Sequence, residues 1–175
     1  MRTYIKKWKP VELALLAALA LALVSGAASL GRQDALQEKM IRLHVIANSD
    51  SASDQAMKLR ARDAVLSRAE DILRQAADRP DAQARLRTAL PELEQAAFDA
   101  WGGSYPVRAE LTMTEFPLKE YDGFALPAGE YLALRLVIGA GNGHNWWCVV
   151  FPPLCTQTTT DVAQTAMAAG LGEED

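Results

Sequence analysis

Two cysteines and two histidines are the whole supply of thiol or imidazole ligands in 175 residues. Cys148 and Cys155 are too far apart for a C-x-x-C redox motif. A four-ligand zinc site is not indicated either, since only His44 and His144 could add nitrogens. No metal and no cofactor is therefore expected. Basic residues are scarce where they would matter. Arg2, Lys6, Lys7 and Lys9 face only Glu12 before Arg32, so setting that +3 aside turns the formal charge of −4 into −7 for the remainder. An acidic remainder without a Lys/Arg stripe argues against nucleic acid, whose backbone must be met by clustered cations. The glycines at 139, 141 and 143 lack the Lys-Ser/Thr that a phosphate-binding P-loop needs.

What the chain does have is a basic start followed by an unbroken Leu/Ala run at 13–24, then Ser25-Gly26-Ala27-Ala28. That order matches the charged region, apolar core and small-residue site of an export signal. Because no charge follows until Arg32, an uncleaved anchor fits as well, and both remain open. In either case the basic flank stays in the cytoplasm and the rest lies outside. We expect residues 1–31 to be signal peptide or N-terminal membrane anchor and 32–40 a linker. Residues 41–155 should form one domain and 156–175 a loosely ordered tail.

Within 41–155, Ile41 to Ile46 alternates and is β-branched, a strand signature. A helix capped by Ser53 or Asp50 should follow and run to about Gln75, with Ala56, Leu59, Val65, Leu66 and Ala69 inward and Lys58, Arg60, Arg62 and Arg68 solvated. A second helix carries Leu86, Leu90, Leu93, Ala97 and Trp101. Pro91 predicts a kink or a division there, and Gly102-Gly103 a stop. Val107, Ala109, Leu111 and Met113 alternate with polar residues, residues 116–129 read as loop, and Leu132, Leu134, Leu136 and Ile138 mark another strand. The glycine turn leads into a last strand at 146–151, ended by Pro152-Pro153. The expected class is α+β: an antiparallel sheet of about four strands, its last strands a meander, with two helices on one face.

Trp146 and Trp147 are adjacent on that last strand, so they point to opposite faces and cannot share one core. Either ring fills the interior or waits for a protein partner. In an oxidising compartment Cys148 and Cys155 can close a disulfide; two buried thiols are the alternative. A catalytic reading would combine His144, Asn145 and Cys148, with Ser49 or His44 further off, but an oxidised Cys148 is no nucleophile. Asp50 and Asp54 are more economically explained as helix caps than as cation ligands.

Five blocks are arranged in a familiar order: RLHVIANSDSASDQAMKLRARDAVL from Arg42, YPVRAEL from Tyr105, FPLKEY from Phe116, LPAGEYLALRLVIG from Leu126 and NWWCVVFPPLC from Asn145. Together they resemble the stage II sporulation protein R family, over about 41–155. The resemblance implies a signalling protein made in the forespore and exported into the space between forespore and mother cell. There it would activate a membrane-bound aspartic protease that processes pro-sigma-E. No catalytic residue is implied. The shared blocks mark His44, Asn48, Asp50, Asp54, Asn145, Trp146 and Trp147 as candidate partner-binding residues. The rival expectation is an exported envelope hydrolase or thiol enzyme using His144 and Cys148.

Overall fold

A computed structural model describes residues 5–121 and 124–155, so the expectation of a loosely ordered tail at 156–175 lies outside the described residues. The chain divides into two units, Met1–Leu36 and Gln37–Asp175. The first holds α1 (Ile5–Gln37). Its window Lys9–Gly26 has a mean hydropathy of 1.7 over 18 residues and none of it is buried, so it is long and apolar enough to cross a membrane and is no core helix.

The second unit runs β1 (Ile41–Ile46), α2 (Ala52–Leu73), α3 (Arg79–Trp101), β2 (Val107–Phe116), β3 (Lys119–Tyr121), β4 (Phe124–Leu126), β5 (Gly129–Ile138) and β6 (Asn145–Phe151). It is an α+β unit, as expected, built on a four-stranded sheet of order β2-β5-β1-β6. β2 with β5 and β1 with β6 are antiparallel, whereas β1 runs parallel to β5. The expected meander is corrected here, because β6 pairs with β1 and not with β5. Every residue of β1 is buried, on both faces, in keeping with its inner position between β5 and β6. The 139–143 turn must then carry the chain past β1.

One face of the sheet contributes Ile41, Leu43, Val45, Leu134, Leu136 and Val150 to the core, against Val65, Leu66 and Ala69 of α2 and Leu86, Leu93 and Ala97 of α3. Both helices differ in detail from expectation. α2 is capped by Ser51, which accepts from Asp54 N, and not by Ser53 or Asp50. Its inward stripe is Asp54, Lys58, Ala61, Val65, so Lys58 is buried while Leu59 is exposed. α3 begins at the Asp78 cap and runs unbroken through Pro91 to Gly102, a left-handed C-cap with φ 85°. Fully buried Leu86 and Leu93 anchor it on either side of the proline, which keeps one helix where the backbone alone favours two. The stretch read as loop at 116–129 contains the β3–β4 ribbon.

Candidate functional site

At the C-terminal end of β1 the chain turns into α2 through Asn48, Ser49, Asp50 and Ser51. Asn48 is the hub. Its amide Nδ2 donates to Asp54 Oδ2 at 2.8 Å, its Oδ1 accepts from Ala140 N at 3.0 Å, and its carbonyl accepts from Asn142 N at 3.2 Å. Gly143 N donates to the Ala47 carbonyl at 2.9 Å. The Ser49 hydroxyl donates to the same Asp54 oxygen at 2.6 Å. These two donors hold the Asp54 carboxyl below its ordinary pKa, since they favour the charged form. The loop cannot carry side chains at two of its glycines. A Cβ on Gly139, where φ is 57°, would meet the Asn48 amide, and one on Gly143 would meet the Ser49 carbonyl.

Lys58 completes this network from one turn further along α2. Only 5% exposed, it donates to the His144 carbonyl at 2.9 Å and to Gln55 Oε1 at 2.7 Å. Burial lowers its pKa, opposed by nearby Asp50. Gln55 in turn donates to the Ser49 carbonyl at 2.9 Å. Toward solvent, Asp50 Oδ1 accepts from His144 N at 2.6 Å and sits 2.5 Å from His144 Nδ1.

The candidate residues thus separate into groups. Asp54 is buried and Asn48 half-buried, both tying segments together, whereas Asp50 remains at the surface with His144. Trp146 packs against the helix-side core, and the Arg62 guanidinium lies 4.7 Å from its ring centre. Trp147 takes the opposite face, beside His44 and Phe116, so the two indoles do not share a core, as their adjacency requires. His44 is 8% exposed and bonds through Nε2 to Asn145 Oδ1 at 3.0 Å. Burial chiefly lowers its pKa; the Asn145 bond opposes that, and Arg135 and Arg42 add to it. Its Nδ1 has no hydrogen-bond partner. Arg42 stacks over Phe116 at 3.9 Å on this same face. A disulfide joins Cys148 to Cys155, with Cα atoms 5.6 Å apart. Among the described residues no group of three His, Cys, Asp or Glu could hold a metal ion.

Lys58, Gln55 and Arg62 escaped sequence reasoning. Lys58 did carry a signal: it falls on the stripe 54, 58, 61, 65, a position where a solvated charge is out of place.

All these residues lie within 37–161, the stretch matched by the family described as Stage II sporulation protein R. The chain belongs to that family. It is 37% identical over 123 residues to Stage II sporulation protein R of Bacillus subtilis (strain 168), covering 69% of this chain and 55% of that protein. The chain thus spans about half the length of this relative. No solved structure matches it significantly. Membership of the stage II sporulation protein R family gives the chain a role in sporulation, and the matched stretch runs from the end of α1 past the disulfide.

Proposed function

We propose that this sporulation protein is an exported signal from the forespore, acting in the intermembrane space. It activates a membrane-bound aspartic protease that processes pro-sigma-E, by binding and without chemistry of its own. Family membership across 37–161, behind an N-terminal helix apolar enough to cross a membrane, is the observation that carries this reading. Binding would shift the protease toward its active state by as much as the two states differ in affinity for the signal.

Side-chain geometry supports binding over catalysis. The Cys148 sulfur is committed to Cys155, so no thiolate is available there. Asn48, Asp54 and Lys58 spend their polar atoms on joining β1, α2 and the 139–143 loop. Asp50, His144 and Asn145 are the surface-facing remainder, with the half-buried Trp146–Arg62 stack beside them, and Trp and Arg are residue types on which protein interfaces most depend. Co-expression of the chain with the candidate protease and pro-sigma-E tests the reading. Processing is expected only when the chain is present and exported; processing without it refutes activation.

A further inference from the structure

The four-stranded sheet has two edges, β2 and β6. Exposed edges invite pairing with another chain unless something covers them. β6 is covered at Val149, whose carbonyl accepts from Leu154 N at 3.2 Å as the disulfide-closed turn folds back. β2 is covered only at its beginning, where Ala109 N donates to Glu94 Oε2 of α3 at 2.9 Å. That bond reveals the parity of the strand. If the Ala109 N–H faces away from β5, so do those of Leu111, Met113 and Glu115, two, four and six residues on, because the β2–β5 register is regular throughout. Among the described residues nothing pairs with this row. Of the usual protections, residues 111–115 carry no proline, no lysine and no bulge, and their one charge is Glu115.

The side chains along the open half state what would fit. Met113 is 52% exposed although Leu132, directly opposite it, is buried. Two places on, Glu115 lies directly opposite Glu130, both exposed and neither in an ion pair among the described residues. Like charges facing one another across a ladder are unfavourable and would be relieved by a cation on a new neighbour. An antiparallel pairing of β2 with β2 of a second copy does not supply it. Residues facing each other across an antiparallel self-pair share the same face, and Arg108, the only basic residue of β2, lies on the face opposite Glu115.

We propose that β2 accepts, as a fifth strand along 111–115, an extended segment of a partner protein. That segment carries an apolar residue against Met113 and a Lys or Arg against Glu115, two positions apart. Main-chain hydrogen bonds would give affinity and the alternate side chains selectivity. This deepens the activation reading above and rests on it, by stating how the partner is held.

The test uses the full chain in detergent and the blocked peptide Thr-Val-Thr-Lys-Thr-Val-Thr, read by amide hydrogen exchange. The amides of Leu111, Met113 and Glu115 should gain protection, and a peptide with Glu in place of Lys should bind about ten-fold more weakly. Met113→Pro removes an outward donor while leaving the β2–β5 ladder intact, so binding should vanish with an unchanged melting temperature. Glu115→Lys is the second variant and should reverse the preference between the two peptides. Unprotected amides, wild-type binding by folded Met113→Pro, or an unchanged preference in Glu115→Lys would overturn the proposal. So would self-association through β2 that Met113→Pro abolishes. In the co-expression assay, normal processing by a Met113→Pro chain that no longer binds peptide would overturn this docking site while leaving activation intact. Processing that never needed the chain would end the activation reading, and the amide protection would still report on the edge.

Discussion

Asn48 and Asp54, joined at 2.8 Å, tie the end of β1 to the first turn of α2, while the other end of the Asn48 amide holds the 139–143 loop through Ala140. Two neighbouring segments and a loop some 90 residues away in the chain depend on one side chain. Asn48→Ala would free the Ala140 donor and withdraw one of the two donors from Asp54. We expect a loss of about 1 kcal/mol, mostly from the part-buried bond to Asp54, because water can replace Asn48 at the exposed Ala140 N–H. Urea unfolding checks this, and an unchanged midpoint would refute the strut.

The glycines of the same loop are required by space. Gly143→Ala would push a methyl into the Ser49 carbonyl, which is backbone and cannot swing away. A destabilisation of about 1–3 kcal/mol is expected, as for overpacking elsewhere. Thermal melts of Gly143→Ala beside Gly26→Ala, where a Cβ meets nothing within 4 Å, separate crowding from the general effect of losing a glycine.

Stability should fall in two stages as pH is lowered. His44 has a lowered pKa in the fold, so below about 6.5 the unfolded chain takes up its proton first and stability is lost as pH falls toward the folded value. Asp54 is also lowered, as is Asp81 in the first turn of α3, whose carboxylate accepts from Ala77 N and Arg85, so their contribution is present above about 3.9 and disappears as pH drops through their folded values. His44→Gln should remove the first stage and Asp54→Asn weaken the second, read as unfolding free energy against pH. If the first stage persists in His44→Gln, this assignment fails.

Cys148 and Cys155 close a short ring, for which loop entropy predicts about 2–3 kcal/mol. Replacing both with alanine should lower stability by that amount. A reductant should do the same to the native chain and nothing to the variant. Equal sensitivity of both to reductant would contradict the expectation.

Local patterns were enough for much of this chain. The apolar run of α1, the alternation in β1, β2 and β5, the Gly102 stop and the opposed tryptophans each follow from periodicity or backbone chemistry within a few residues. The family was equally legible, because its blocks are continuous in the sequence. Strand order was not, since it depends on which strand most needs both faces covered, a competition among β1, β5 and β6 that no window contains. Nor was the fate of the polar candidates. Asn48 and Lys58 read as surface groups until Ala140 and His144, some 90 residues on in the chain, arrive to be bonded by them. Desolvation is a property of the assembled neighbours and not of the residue. Only the packed structure could divide the residues that tie the segments together from those left at the surface.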